Sequence, residues 1–231
     1  MNELFIALDF HNETDLWYFI DKFKNQPAAF KIGMSQFYMS GPDIVNQLHD
    51  MGHKIFLDLK CHDIPNTVKL ATQQLSKLPV ELVTVHTLGG QKMLEAAMEG
   101  VAAGPYSPKV LGITQLTSSD QEMLNQQMQI KGSIEDSVIH LAQLAQKSGL
   151  DGVVSSALET PAIKQATNHQ LLSLTPGIRM TLEQSGDQTR VATPEQARLN
   201  GADYIVVGRP ITQANNPVAA YQEFLKQWQG E

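Results

Sequence analysis

The chain has 231 residues, of which 42% are hydrophobic and 18% are charged, and this balance suits one large globular domain or two small ones. Its net charge of −7 and the lack of any run of basic residues argue against a nucleic-acid partner. Its single cysteine excludes an internal disulfide and suits a reducing compartment.

The start of the chain and its apolar runs bear on localisation. The first predicted strand begins about four residues in, which leaves no room for the charged and apolar regions of a signal peptide. No apolar run approaches the roughly 18 residues that a membrane-spanning helix needs. We therefore expect a soluble cytoplasmic protein that has no membrane partner.

Short apolar runs rich in β-branched residues alternate along the chain with longer stretches of helical periodicity. The runs predict strands at residues 4–8, 28–32, 54–59, 81–86, 109–114, 151–155, 171–175 and 203–207. The stretches between them predict helices at residues 13–24, 41–51, 65–76, 91–102, 133–148, 159–166, 194–199 and 217–228. At the seventh helix, Thr193 is a typical N-cap and Pro194 suits the first helical position.

Eight strand–helix repeats with no long structureless gap predict a parallel α/β fold. Eight is also the number that closes a (β/α)8 TIM barrel, and 231 residues fall within the usual size of one. The structural alternative is an open doubly wound sheet, which usually has a glycine-rich turn after its first strand, whereas this chain has Asp9-Phe10-His11-Asn12 there. We expect a single barrel domain over residues 1–231.

Charged residues stand at the carboxyl ends of the first three predicted strands. Asp58 and Lys60 end the third strand, and an extended chain directs both to the same face. Asp63 lies just beyond them, while Lys31 ends the second strand and Asp9 ends the first. The sequence therefore predicts one polar pocket. In it, neighbouring carboxylates favour the ammonium form of Lys60, which would make this lysine a proton donor.

Later strands contribute further candidates to the same mouth of the barrel, namely His86, Thr117, Arg179 and Arg209. Any one charged pair could be a simple salt bridge on the barrel rim. For the whole set that explanation is strained, because burying several charges is costly unless function retains them.

The last two strands carry a candidate phosphate site. Strand eight ends in Gly208, which lets a ligand approach the backbone, and Arg209 follows at once. Pro176 and Arg179 follow strand seven, and barrels often bind phosphate in the loops after strands seven and eight. The alternative is that Gly208 only makes the turn and Arg209 pairs with a surface acid.

The polar stretch from Met180 to Arg190 is the longest candidate loop. It is either an ordinary solvated loop or a lid that closes over a ligand. Cys61 is expected to pack rather than to react. The seven histidines show none of the spacings of a zinc site, so we predict no metal centre.

The segment from Phe56 to Thr67, which reads FLDLKCHDIPNT, resembles the signature of orotidine 5′-phosphate decarboxylase in its bacterial form. The Asp-x-Lys-x-x-Asp core within it is shared with relatives, whereas the full set of matching segments is highly specific. These further segments follow in family order: Ala7–Asp9, Phe30–Gly33, Thr84–His86, Leu116–Ser118, Thr175–Arg179, Gly186–Arg190 and Val207–Pro210.

The resemblance implies a (β/α)8-barrel homodimer that converts orotidine 5′-phosphate to UMP and CO2 in pyrimidine synthesis, without a metal or another cofactor. It implies that Asp63, with Thr67 nearby, reaches into the neighbouring subunit's site. It also implies that Asp9 and Lys31 bind the ribose hydroxyls of the substrate.

The same resemblance assigns the base and the phosphate of the substrate to other residues. Thr117 and Ser118 would contact the pyrimidine. Gln188 and Arg209 would hold the phosphate, and Arg179 would lie beside the phosphate loop.

The chemistry of this reaction agrees with the charged residues. Loss of CO2 from C6 leaves a carbanion in the plane of the pyrimidine, where the ring's π system cannot delocalise it. An ammonium at C6, that of Lys60, would stabilise this charge and then protonate it. Asp58 would orient Lys60, and we expect the catalytic set to be Lys60, Asp58, Asp63 and Lys31.

Three alternatives stay open at this point. Metal-dependent relatives such as 3-keto-L-gulonate 6-phosphate decarboxylase use the same core on sugar phosphates, but they carry a glutamate where Lys31 stands, and a lysine there would repel Mg2+. A catalytically silent module that binds nucleotide phosphates is disfavoured by an intact Lys60. An unrelated phosphoribosyl-binding barrel is the third, since phosphate sites at strand eight are common.

Overall fold

The computed structural model describes residues 3–181 and 190–231. Eight parallel strands close into a barrel in chain order, and the last strand pairs with the first. The predicted (β/α)8 barrel is therefore confirmed. The strands are β1 (Glu3–Leu8), β2 (Ala29–Gly33), β3 (Lys54–Cys61), β4 (Leu82–His86), β5 (Lys109–Ile113), β6 (Gly152–Val154), β7 (Leu172–Thr175) and β8 (Tyr204–Val207).

Helices follow the strands and form the outer layer. They are α1 (Glu13–Asp21), α2 (Met34–Ser40), α3 (Asp43–Asp50), α4 (Pro65–Leu75), α5 (Gln91–Ala102), α6 (Ile134–Lys147), α7 (Thr160–Ala166), α8 (Pro194–Leu199), α9 (Arg209–Thr212) and α10 (Pro217–Gln229). A 3-10 turn spans Thr87–Gly89 and a π-helical turn spans Met123–Gln127. No helix in the two described stretches is long and apolar enough to cross a membrane.

The helix predictions differ from the structure mainly in short elements. The helix predicted at residues 41–51 corresponds to α3. Helix α2 was not predicted, and it ends before Gly41, whose φ is 64°, and Pro42. The single turn of α9 and the π-helical turn were not predicted, because one turn is too short to show hydrophobic periodicity. The N-cap at Thr193 is confirmed, since its side chain accepts a hydrogen bond from the Gln196 N–H at 3.1 Å.

Alternation along the strands divides the apolar side chains into two cores. In β1, Leu4, Ile6 and Leu8 belong to the outer core between strands and helices, whereas Phe5 and Ala7 belong to an inner core. The inner core lies inside the barrel and consists of Phe5, Ala7, Ala29, Phe56, Leu82, Leu111, Leu174 and Val206.

The same alternation places charged side chains above the inner core. In β2, Ala29 is an inner residue and Lys31 is the next residue on that face. In β3, Phe56 is an inner residue and Asp58 follows it in the same way. Lys31 and Asp58 are thus directed into the barrel at its carboxyl end.

A partly buried ion pair lies at the opposite end of the barrel, where the side chains of Lys164 and Asp203 are 10% and 32% exposed. Lys164 in α7 donates to an Asp203 carboxylate oxygen at 2.6 Å and to the Leu171 carbonyl at 2.8 Å. The same oxygen of Asp203 accepts the Ser173 N–H at 2.7 Å. These bonds join α7 to the beginnings of β7 and β8, so they stabilise the fold at the end away from the charged pocket.

We predict that Lys164→Ala lowers the free energy of unfolding by about 2 kcal/mol, because it removes the cation from a partly buried carboxylate and the donor to the Leu171 carbonyl. The control is Lys24→Ala, which removes a pair with Asp21 whose side chains are 58% and 66% exposed and should cost less than about 1 kcal/mol. Urea denaturation of the two variants measures both losses. Equal losses would contradict a structural role for Lys164.

Candidate active site

A cavity of about 550 Å³ opens at the carboxyl ends of the strands. This is the end at which barrels of this type carry their functional residues. The predicted site residues that line it are Asp9, Lys31, Asp58, Lys60, Thr117, Ser118, Pro176, Arg179, Gly208 and Arg209.

Two lysines and two aspartates form a charged cluster on one wall of the cavity. The Asp58 Oδ2 atom lies 2.7 Å from Lys60 Nζ and 3.7 Å from Lys31 Nζ. Lys31 Nζ also lies 3.8 Å from Asp9 Oδ1. The side chains of Lys31 and Asp58 are only 12% and 13% exposed, so their attraction is weakly screened by solvent. The cluster holds an ammonium, that of Lys60, against the cavity.

The backbone of Lys60 departs from the extended conformation expected from the sequence. Its φ is 50°, and the pairing of β3 with β4 shifts register between Leu57 and Cys61. Simple alternation along the strand therefore does not explain how Lys60 meets Asp58. Their contact instead depends on a local bend at the end of β3, which the pattern of apolar residues did not reveal.

Thr84 on β4 contacts both members of this pair. Its hydroxyl donates to Asp58 Oδ1 at 3.0 Å and accepts from the Lys60 N–H at 2.9 Å. Thr84 is fully buried. Sequence reasoning identified this residue only as part of a matching segment, because the contact joins two strands and leaves no local pattern.

The loops after β7 and β8 form another side of the cavity, where Pro176, Arg179, Gly208 and Arg209 lie. A Cβ atom placed on Gly208 would meet only the Cβ of Ala7, at an ordinary distance of 3.6 Å. The packing of the protein itself therefore does not crowd this position, and the free space belongs to the cavity. Gln188, the other predicted phosphate ligand, lies outside the described residues, as does most of the loop from Met180 to Arg190.

The loop after β5 completes the mouth with Leu116, Thr117 and Ser118. Arg190 donates to the Leu116 carbonyl at 2.6 Å and forms an ion pair with Glu159, which follows β6. Burial lowers the pKa of the Arg190 guanidinium. These contacts hold the loops after β5 and β6 together, and the sequence showed no sign of them.

Asp63 and Thr67 are not among the residues that line the cavity. Both are exposed, and Asp63 accepts a hydrogen bond from the Ile64 N–H at 2.6 Å. Ile64 between them is 68% exposed, which is unusual for such an apolar side chain. A single chain therefore brings the other predicted catalytic residues together but leaves Asp63 at the surface.

His86 ends β4 as predicted but does not line the cavity. Its ring stacks on His62 with centroids 5.3 Å apart. Burial is the main cause that lowers the pKa of His86 to about 4, with smaller electrostatic contributions from His62 and Lys60, so His86 is neutral near pH 7. Cys61 is partly buried against the outer core, and burial raises the pKa of its thiol.

Apolar side chains line the floor of the cavity and were not predicted as site residues. Their signal was present in the alternation of each strand, which places every second residue inside the barrel. They are Phe56, Ile113, Val154, Leu174 and Val206. A pocket with an apolar floor, an ammonium on one wall and arginines on another suits an anionic ligand that also has an apolar surface.

Comparison with known proteins gives a consistent result. The profile of the orotidine 5′-phosphate decarboxylase / HUMPS family matches residues 2–224. The chain is 49% identical over 231 residues to orotidine 5′-phosphate decarboxylase of Listeria monocytogenes serotype 4a, covering 99% of each chain. It is 50% identical over 228 residues to that of Enterococcus faecalis, covering 96% of each. The crystal structure of orotidine 5′-phosphate decarboxylase from Lactobacillus acidophilus superimposes with a TM-score of 0.88 at 38% identity, covering 99% of each chain.

Proposed function

We infer the activity from the family to which this chain belongs, the orotidine 5′-phosphate decarboxylase / HUMPS family. The enzyme removes CO2 from orotidine 5′-phosphate and releases UMP, a step of pyrimidine synthesis. Relatives with 49% and 50% identity over nearly the full chain carry that name. The observation that carries the proposal in structural terms is the ammonium of Lys60, held 2.7 Å from Asp58 at the edge of the cavity.

Lys60 is the proposed proton donor. Breaking the bond between C6 and the carboxylate leaves an electron pair on C6, and a nearby ammonium stabilises that pair before it delivers a proton. The carboxylate of Asp58 orients the ammonium through a hydrogen bond of 2.7 Å. The products are CO2 and UMP, with Lys60 left as an amine that solvent reprotonates.

The remaining members of the cluster have supporting roles in this proposal. Asp58 positions Lys60 and lies near the departing carboxylate of the substrate. Lys31, between Asp58 and Asp9, binds a ribose hydroxyl while it partly neutralises both carboxylates. Asp9, which is the most exposed of the four, accepts a hydrogen bond from the ribose.

The rest of the cavity binds the base and the phosphate. Thr117 and Ser118 line the cavity on the loop after β5, and in this proposal they donate to and accept from the pyrimidine edge. Arg209 and Gln188 hold the phosphate, and Arg179, Pro176 and Gly208 shape the site around it. The assignment of Gln188 depends on resemblance alone.

The metal-dependent alternative conflicts with the position of Lys31. Its Nζ lies 3.8 Å from Asp9 and 3.7 Å from Asp58, so an ammonium occupies the space between the two carboxylates that a divalent cation would need. We therefore propose that the reaction proceeds without a metal or another cofactor.

Turnover of orotidine 5′-phosphate, followed by its loss of ultraviolet absorbance in buffer with excess EDTA, tests this function. We expect conversion to UMP by the wild-type protein. Conversion that requires added Mg2+ would contradict the proposal that the reaction proceeds without a metal. Folded protein that gives no conversion would contradict the proposed activity and favour a binding role.

We further propose a cytoplasmic homodimer with shared sites and no nucleic-acid partner. Asp63 and Thr67 are exposed on either side of the exposed Ile64, and we infer that a second copy of the chain covers this surface. In such a dimer, Asp63 of each protomer would complete the active site in the cavity of the other protomer. This arrangement explains why a predicted catalytic residue lies outside the cavity of its own chain.

Mixing Asp63→Ala protein with Lys60→Ala protein tests the sharing. Hybrid dimers would contain one wild-type site, so activity should recover to roughly a quarter of the wild-type value after random exchange. The control mixes Asp58→Asn with Lys60→Ala, because these side chains lie 2.7 Å apart in one protomer and cannot complement each other. No recovery in the first mixture, with subunit exchange verified, would contradict the sharing.

A further inference from the structure

We propose that Thr84 is a positioning residue that sets the geometry of Lys60 and Asp58. The inference rests on the proposed function of that pair, and it assigns to β4 a part in the reaction. Thr84 does not line the cavity, so it acts through its two partners rather than on the substrate.

The hydrogen bonds of Thr84 are directional. The Lys60 N–H donates to the hydroxyl oxygen at 2.9 Å, and the hydroxyl proton is then directed to Asp58 Oδ1 at 3.0 Å. Asp58 contacts the lysines through its other oxygen, Oδ2. One carboxylate oxygen is therefore held by Thr84 and the other is left to orient Lys60.

The hydroxyl of Thr84 also supports an unusual backbone conformation at Lys60. A lysine with a φ of 50° is in the left-handed region, which side chains with a Cβ rarely adopt without support. The register of β3 on β4 shifts at this point, and the Lys60 N–H bonds to a side chain on β4. Thr84 thus fixes the bend that brings the Lys60 ammonium back to Asp58.

Complete burial makes the hydroxyl hard to replace. Thr84 has no exposed surface, so a missing hydroxyl is not readily replaced by bulk water. Valine has nearly the same shape as threonine but can satisfy neither Asp58 Oδ1 nor the Lys60 N–H. Serine keeps the hydroxyl and loses only a methyl group.

We expect Thr84→Val to lower kcat roughly 10- to 100-fold, because small displacements of a reacting group cost that much. The affinity for UMP should stay within about threefold of the wild-type value, since the base and phosphate contacts lie on other loops. Thr84→Ser should restore kcat to within about threefold of wild type. Thr72→Val is the control, because Thr72 is a fully buried threonine that bonds only to backbone carbonyls of α4 and α5.

The experiment measures kcat and KM for orotidine 5′-phosphate, UMP affinity, and crystal structures of wild type and Thr84→Val. Positioning is supported if Thr84→Val loses kcat but keeps its affinity for UMP and its crystal structure shows the Lys60–Asp58 contact displaced. Thr84→Ser and Thr72→Val should then keep nearly the wild-type kcat. Unchanged kcat with an unchanged contact overturns it, as does a parallel loss of kcat and UMP affinity. If Thr84→Val does not fold, Thr84→Cys, whose thiol is a poor hydrogen-bond partner, should lose at least about fivefold in kcat.

An inactive wild-type protein would contradict the proposed function alone. The crystal structures would still decide the inference about Thr84, because the Lys60–Asp58 contact either moves or stays in place. The two failures are therefore distinguishable.

Discussion

Lys60→Ala should lower kcat for orotidine 5′-phosphate roughly 10⁴-fold or more, since it removes both the stabilising charge and the proton donor. Each of these two effects accounts for a factor of at least about 10² in comparable enzymes. The substitution also leaves Asp58 with Lys31 as its remaining cation, 3.7 Å away. Single-turnover kinetics with excess enzyme would measure the residual rate.

The matched control for this prediction lies on the same strand. Lys54 begins β3 and pairs with Glu3 at 2.6 Å, at the end of the barrel away from the cavity. Lys54→Ala removes the same charge from the same strand and should leave kcat within about twofold of wild type. The affinity of Lys60→Ala for UMP should remain measurable. A kcat for Lys60→Ala within about tenfold of wild type would show that another group donates the proton.

Sequence patterns predicted the features that depend on neighbouring residues in the chain. Short apolar runs rich in β-branched residues located all eight strands within a few residues of their observed ends. The position of Lys31 and Asp58 at inward-facing places of β2 and β3 follows from the alternation of side chains along a strand. Because parallel strands in a closed barrel end at one rim, these side chains had to converge.

Contacts between distant parts of the chain could not be predicted in this way. The hydroxyl of Thr84 on β4 donates to Asp58 on the adjacent strand β3. The left-handed backbone of Lys60 replaces the extended chain that alternation assumes. Arg190 bonds to Leu116 and Glu159, which are far from it in sequence. Each of these depends on register and loop packing, which are decided by the assembled barrel rather than by local preference.

In the proposed complex, the atoms that react lie far from the phosphate by which the enzyme recognises its substrate. In this complex, Lys60 acts at C6 of the base, and the phosphate lies on the far side of the ribose, toward Arg209. Energy gained at the phosphate cannot change the bond that breaks except by aligning the base against Lys60. Binding energy used in this way appears in the transition state as well as in the bound complex.

Arg209→Ala should therefore lower kcat/KM for orotidine 5′-phosphate about 10³-fold, which corresponds to about 4 kcal/mol for a phosphate that has lost its cation. Arg209→Lys should recover part of this loss, because lysine keeps the charge but lacks the planar pair of donors. Steady-state kinetics of the two variants measure the effect. Urea denaturation should show that both remain folded, since Arg209 lies on the cavity rather than in the core.

Orotidine, which lacks the phosphate, separates a phosphate contact from a general defect. The wild-type enzyme and Arg209→Ala should turn over orotidine at equal, slow rates, because the arginine then has no partner in the substrate. Lys226→Ala, which removes one cation from the exposed face of α10, controls for the change in net charge and should not affect either substrate. If Arg209→Ala were equally impaired with both substrates, the arginine would act on the structure of the site. A near-wild-type kcat/KM for orotidine 5′-phosphate would place the phosphate elsewhere in the cavity.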